Sequence, residues 1–144
     1  MTTADEYAPS TTGWVRRQVE RYESTGGREG NKVTGRPIVV ITSRGAKSGK
    51  LRKNPVMRVE HDGVYAAVGS YGGAVKNPAW VGNFLADPHV QLQDGPEPAA
   101  YVARLASGDE RAMWWERAVA AFPTYAAYQR KTKRDIPVFI LERE

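Results

Sequence analysis

The hydrophobic and polar positions of this chain follow two different periods, and the points where they switch divide it into elements. After Thr12, the stretch WVRRQVERYEST brings Trp14, Val15, Val19 and Tyr22 to one side of a 3.6-residue repeat with charges opposite, which predicts an amphipathic helix. The following STGGREGNKVTG keeps no period and is rich in glycine, so it reads as a connector. PIVVITS, residues 37–43, is a β-branched run short enough to be a buried strand, and NPVMRVEH resumes as a second strand. Asp62 and Gly63 supply the positive φ angles of a hairpin turn, after which VYAAVG, residues 64–69, returns as the partner strand. Asn77 before Pro78 has the chemistry of a helix start, a capping side chain followed by a ring pre-set for the first helical position. That short helix ends near Asp87 and Pro88, and HVQLQD and AAYVARLA follow as strands around the turn DGPEP. Ser107, Gly108, Asp109 and Glu110 have capping-box spacing and open a helix through about Phe122. Pro123 begins another short helix carrying Tyr125 and Tyr128, and IPVFILERE closes the chain as a strand.

This order, about six strands and three or four helices with hairpins first, predicts an α+β fold. Its sheet is mainly antiparallel and rolled into a barrel, with helices packed outside. A doubly wound nucleotide fold would need regular strand-helix alternation, which is absent. Residues 1–34 form a polar tail and helix suited to a lid or a dimer contact, and residues 35–144 form the barrel.

Composition changes this picture mainly by exclusion. No run approaches the roughly 20 apolar residues of a membrane-spanning helix. The first residues lack the charged and apolar blocks of a signal peptide. The chain contains no Cys, so neither a disulfide framework nor a thiolate site is available, and a cytoplasmic location is expected. His61 and His89 stand apart, which leaves no metal site. Charge adds more. The chain carries a net +5, but residues 28–58 hold nine Lys or Arg against Glu29 alone, a local +8, so the remainder sums to −3. Basicity confined to one region points to a bound anion rather than to general solubility.

Three stretches could carry chemistry. RGAKSGKLRKNP, residues 44–55, joins two hairpin strands and clusters Lys47, Lys50, Arg52 and Lys53. Gly45 and Gly49 let backbone N–H groups converge there, and Ser48 adds a hydroxyl, so the loop is either an anion cradle or a solvated hairpin tip. It is not a P-loop, because the Gly-x4-Gly-Lys-Ser/Thr order and the following helix are missing. GSYGGAVKNPAWVGN, residues 69–83, sets glycines and Ser70 at a strand exit before a helix N-terminus, and reads as a ligand-approach segment or as a linker with a cap. In FPTYAAYQRKT, Tyr125 and Tyr128 share a helix face as core residues or as a wall over a flat ring.

GAKSGKLRKNPVM, GSYGGAVKNPAWVGN, FPTYAAYQ and the terminal IPVFILE, taken in that order, resemble the deazaflavin-dependent nitroreductases of actinobacteria from about residue 35 to the end of the chain. The resemblance implies a split β-barrel holding coenzyme F420, an 8-hydroxy-5-deazaflavin with a phosphodiester and an oligoglutamate tail. Carried over by position, Lys47, Ser48, Arg52 and Lys53 would hold the phosphate and tail. Asn54, Pro55, Val56 and Met57 would line the ring, met from the next strand by Val68, Gly69, Ser70 and Tyr71. Ala79, Trp80, Val81, Gly82 and Asn83 match the helix facing the cofactor. Tyr125 matches a tyrosine over the deazaflavin, and Tyr128 one at the substrate pocket. The chain departs from one example of the family at Ala46 and Tyr71, where that example has cations, and at Met57 and Phe122, where it has tyrosines. Activity on a nitroimidazole therefore does not carry over.

The implied reaction is hydride transfer from C5 of the reduced cofactor to an electron-poor acceptor such as a quinone, an enone or a nitro-aromatic. Ser70, Tyr125 and Tyr128 would act on the charge and proton at the acceptor oxygen. The N-terminal helix is read as a lid or homodimer contact, with contact at the periphery of the inner membrane face as the alternative. Three other readings stay open: an FMN oxidoreductase on the same barrel, an F420 carrier without chemistry, and a basic nucleic-acid-binding module, the last disfavoured because the cations gather on one loop.

Overall fold

The computed structural model describes residues 6–144, so residues 1–5 of the polar tail lie outside it. Among the described residues there are four α-helices, α1 (Gly13–Ser24), α2 (Ala79–Ala86), α3 (Gly108–Ala121) and α4 (Thr124–Lys131). The strands are β1 (Lys32–Val33), β2 (Arg36–Arg44), β3 (Leu51–Met57), β4 (Val59–His61), β5 (Val64–Val68), β6 (His89–Gln93), β7 (Pro98–Leu105) and β8 (Val138–Arg143).

All strand pairs are antiparallel and run β3-β2-β6-β7-β8-β5-β4, with β1 as a short ribbon on β2. The two ends of that series, β3 and β4, are consecutive in the chain and separated by Arg58 alone. The sheet therefore curls until its edges meet, and the meeting is covalent. NPVMRVEH, expected as one strand, is one bent strand whose first half pairs with β2 and whose second half pairs with β5. At the bend, the Arg58 backbone N–H donates to the Pro37 carbonyl at 3.0 Å. Its guanidinium donates from Nε to Asp94 Oδ2 at 2.8 Å, and the Tyr65 hydroxyl donates to the same oxygen at 2.5 Å.

Three strands are apolar on both faces because both faces are covered. Val39 and Ile41 of β2 join Leu92, Tyr101, Phe139 and Leu141 on the inner face, where α2 inserts Trp80, Val81 and Phe84. The alternate β2 residues Ile38 and Val40 meet Val19 and Tyr22 of α1. Ala66 and Val68 of β5 and Val138 and Ile140 of β8 are covered by Trp114, Ala118, Phe122 and Tyr125 of α3 and α4. Period-2 alternation fails in such strands, so continuous runs such as PIVVI are what their sequence must show.

The hairpin turn forms as expected, with Asp62 at φ 52° and Gly63 at φ 79°. Two helix starts differ from the expected chemistry. Helix α2 begins one residue later, at Ala79, with Pro78 extended at the cap position. Asn77 does not cap it, because its side-chain oxygen accepts from Arg134 at 2.7 Å instead. Ser107 occupies the α3 cap position without a side-chain bond, and Glu110 accepts two bonds from Arg104, at 2.6 and 2.8 Å, rather than reaching back. In α1, Val19 and Tyr22 are buried but Trp14 is 55% exposed and leaves the core-facing stripe. Among the described residues, no helix is long and apolar enough to cross a membrane.

Asp94 serves two donors at the bend, so Asp94→Ala leaves Arg58 and Tyr65 unpaired. Urea unfolding should show a loss of about 2 kcal/mol, the scale of a hydrogen bond to a charged group. A change below about 0.5 kcal/mol, the ordinary range for surface substitutions, would show that the bend is held by packing alone.

Candidate functional site

The barrel edge formed by β3 and the exit of β5 faces α2, α4 and the first turn of α1, and the space between them is a cleft with two halves. One half, a cavity of about 260 Å³, is lined by Pro55, Val56 and Met57, by Val68, Ser70 and Tyr71, and by Phe122, Tyr125 and Tyr128. The other, of about 310 Å³, is lined by Arg52, Lys53, Asn54 and Pro55, by Ala79, Trp80 and Asn83, and by Ala8, Ser10 and Thr12 of the N-terminal segment. Trp14, Pro55, Tyr71, Pro78 and Trp80 line both, which makes them one continuous cleft. The first half is walled mainly by aromatic and aliphatic groups; the second sets the cations Arg52 and Lys53 and the polar Asn54 and Asn83 among apolar residues such as Pro55, Pro78 and Trp80.

In the aromatic half the rings of Phe122, Tyr125 and Tyr128 form a mutually tilted group, with centroids 5.0 to 6.3 Å apart. Ser70 and Tyr125 are only 7% and 4% exposed. The hydroxyls of Ser70, Tyr125 and Tyr128 have no hydrogen-bond partner among the described residues. Ser43 carries the one sealed and unpartnered side-chain oxygen among those residues, so none of these three hydroxyls is fully sealed, and all three residues line the cavity. Unpartnered hydroxyls on an apolar cavity are groups that a ligand oxygen can satisfy. Burial pushes the Tyr125 phenol well above its ordinary range, with a smaller contribution from Tyr128, so it is a protonated donor at neutral pH.

The polar half is built on β3 and on the chain's own N-terminus. Residues 6–8 lie against the free edge of β3: Leu51 N–H donates to Glu6 O at 2.8 Å, and Ala8 N–H donates to Leu51 O at 2.9 Å. The cations nearby have internal partners. Lys50 pairs with Glu6 at 3.3 Å, Lys53 with Glu23 at 2.6 Å, and Arg52 donates to Ala8 O at 3.1 Å.

The structure brings together most, but not all, of the residues singled out from sequence. Lys47 and Ser48 sit at the exposed tip of the β2–β3 loop, outside the lining of both halves; Ser48 Oγ accepts from Lys50 N–H at 3.2 Å. That tip is tied to α2 by the Ala46 N–H, which donates to Asn83 Oδ1 at 2.9 Å. Five consecutive residues of a helix cannot face one ligand. In α2, Ala79, Trp80 and Asn83 face the cleft, Val81 enters the core and Gly82 is exposed. Gly69 lines neither half, but a Cβ there would meet Pro137 and Val81 at 2.8 and 2.9 Å, so only glycine lets β5 leave the sheet at that point. Sequence reasoning missed Trp14 as a cleft residue, since an aromatic on an amphipathic helix has the same local pattern whether it meets core or ligand. Thr34 and Ile38, also in the aromatic half, lie on the connector and a buried strand with no signal of their own.

Comparison with known proteins gives this cleft a context. The family model for F420H(2)-dependent quinone reductase matches residues 14–143. A Mycobacterium tuberculosis relative, whose name assigns it provisionally to that activity, is 34% identical over 105 residues, spanning 73% of this chain and 88% of its own. A solved structure described as an F420-H2 dependent reductase is 54% identical, with a TM-score of 0.70, covering 74% of this chain and 95% of its own. Another, described as a domain-swapped dimer, is 51% identical with a TM-score of 0.73, covering 92% of this chain and 100% of its own.

The Tyr125 environment has a pH signature. The folded state holds this proton to higher pH than the unfolded chain, whose phenols titrate near about 10. Its contribution is therefore fully present below pH of about 10 and is lost as pH rises toward the folded value. Relative to Tyr125→Phe, the wild type should lose stability in urea titrations between about pH 10 and 11. A gap between the two proteins that stays constant across that range would rule out the buried phenol.

Proposed function

This chain belongs to the F420H(2)-dependent quinone reductase family, is an F420-dependent reductase, and has coenzyme F420 as its cofactor; from that premise we propose how its residues divide the work. The observation that carries the reading is the continuous cleft, which joins an aromatic cavity lined by Ser70, Tyr125 and Tyr128, whose hydroxyls are unpartnered, to a half that holds Arg52 and Lys53. The cofactor's chemical parts fit it. A flat ring suits the space between the β3 stretch Pro55 to Met57 and the Tyr125 and Tyr128 wall. A phosphate and glutamate carboxylates suit Arg52, Lys53 and Asn54, with Trp80 and Asn83 opposite. Lys47 and Ser48, at the loop tip, would meet only the outer part of the tail.

When bound, reduced F420 supplies a hydride from its C5 carbon; orientation, water exclusion and proton supply fall to the protein. Tyr125, protonated and buried, is assigned hydrogen-bond donation to the acceptor oxygen as negative charge develops there. Ser70 offers a second donor from the opposite wall, and the half-buried Tyr128 a third. Met57 and Phe122 bring no hydrogen-bonding hydroxyl to the cavity, so its acceptor end favours the apolar ring of a quinone over a nitroimidazole. Trp14, exposed on α1 over both halves, is assigned the lid contact. A homodimer is supported by the description of a related chain as a domain-swapped dimer.

Fluorescence titration of the purified protein with F420, FMN and a short oligonucleotide tests the cofactor reading. F420 should bind selectively, and Arg52→Met should weaken it by about tenfold or more, the scale of one charge-assisted bond. Lys47→Met should weaken it less. Preference for FMN or for the oligonucleotide would assign the cationic half to another anion. With F420H2 and menadione, Tyr125→Phe should lower turnover by about tenfold or more while leaving F420 affinity nearly unchanged. Full turnover in that variant with every acceptor tried would remove the tyrosine from its role.

A further inference from the structure

The segment after β5 is held in a conformation that it would not adopt alone. Tyr71, Gly72 and Gly73 have successive φ angles of 47°, 65° and 78°, all in the left-handed region. A non-glycine residue such as Tyr71 is held there at a cost of roughly 1–3 kcal/mol and stays only where its surroundings over-determine it. Gly73 also packs so closely on α4 that a Cβ would lie 2.9 Å from the Tyr128 carbonyl oxygen. Ser70 immediately precedes this turn, and Ser70 and Tyr71 line the aromatic cavity. Whatever holds the turn therefore sets where one wall of the cleft stands.

One side chain supplies most of the polar contacts that do so. Arg134, in the connector between α4 and β8, donates from Nε to the Ala74 carbonyl at 2.9 Å. Nη1 donates to the Gly69 carbonyl at 3.1 Å and to Asn77 Oδ1 at 2.7 Å, and Nη2 donates to the Ser70 carbonyl at 2.7 Å. No carboxylate pairs with it among the described residues, so its charge is met by four oxygens of this segment. The Arg134 backbone is itself tied to α4. Gln129 donates to the Arg134 carbonyl at 2.9 Å and accepts from the Ile136 N–H at 3.2 Å. A continuous polar path thus runs from the helix bearing Tyr125 and Tyr128, through Gln129 and Arg134, to the backbone of Ser70.

We propose that Arg134 is a positioning residue for the reduction: its guanidinium fastens the Ser70–Tyr71 wall of the cleft to the Tyr125–Tyr128 wall and fixes the spacing between their hydroxyls. This rests on the assignment of those hydroxyls to the acceptor oxygen. It also explains why the position is arginine. A planar fork with five N–H donors can serve four oxygens spread around it, whereas a lysine ammonium is a single point with three donors.

The test uses Arg134→Lys and Arg134→Gln with two readouts. The first is native-state amide exchange, which requires no cofactor. In Arg134→Lys the Gly73 and Ala74 amides, bonded to Ser70 and Tyr71 carbonyls at 2.9 and 3.1 Å, should exchange at least tenfold faster while β2 and β8 stay protected. The second is turnover with F420H2 and menadione. Arg134→Lys should lower kcat by about 10- to 100-fold, the scale of a small misplacement, with a smaller change in KM. Adding Ser70→Ala to Arg134→Lys should cost far less than Ser70→Ala alone. Unchanged exchange at residues 73 and 74, wild-type kcat in Arg134→Lys, or fully multiplicative effects in the double variant would each overturn the proposal. If Arg134→Gln fails to fold, Arg134→Lys, which keeps the charge, carries the test alone. Loss of protection without any F420H2-linked turnover in the wild type would leave the clamp standing and remove the functional reading instead.

Discussion

The bend at Arg58 determines where everything else can be. Because β3 and β4 are halves of one strand, pairing β4 with β5 carries β3 to the far edge of the same sheet. The cleft-lining stretch Arg52 to Met57 is thereby set opposite the exit of β5, where Ser70 and Tyr71 stand. The same residue anchors the bend, through its backbone to Pro37 and through its guanidinium to Asp94. Asp94 also takes the Tyr65 hydroxyl, so β5 and the end of β6 are referenced to one carboxylate oxygen. A barrel closed by its own chain needs no hydrogen-bonded seam between its last strands, and the gap left there is where a ligand can enter.

The two halves of the cleft contribute differently to recognition. The cations at and beside the polar half are not free; Arg52 donates to the Ala8 carbonyl. Glu6 and Glu23 hold Lys50 and Lys53, and partly exposed pairs of this kind are worth about 1 kcal/mol or less. A polyanionic ligand would exchange one carboxylate for another at these lysines, with little net gain from each exchange. On the reading proposed above, selectivity would then rest on the aromatic half, where burial is deep and the Ser70 and Tyr125 hydroxyls are unpartnered. The N-terminal segment and α1, which supply both carboxylates and Trp14, form part of the site as well as its cover.

Much of this was legible in the residues. The strands, the hairpin turn at Asp62 and Gly63 and the helices carrying Trp80 and Tyr125 follow from hydrophobic period and turn chemistry, and the structure has them at nearly the expected positions. The four ordered motifs led to the family that the comparisons then established. What local reasoning misjudged were groups with a stronger partner far away in sequence. Asn77 looked like a cap and instead accepts from Arg134, and Glu110 looked like half of a capping box and instead binds Arg104. Both are polar side chains whose local option competes with a guanidinium brought near only by folding.

The sequence by itself therefore determined the element types, the antiparallel α+β character, the concentration of cations on one hairpin and the class of ligand they suit. Those properties depend on residues within a few positions of one another. Only the tertiary structure decided which of the loop cations reach the cleft, that Lys50 and Lys53 are already paired, that Trp14 lines the cleft rather than the core, and that Arg134 donates to the Ser70 carbonyl. Each of these depends on where the barrel brings side chains that are tens of residues apart, and no local pattern of hydrophobic and polar positions encodes that distance.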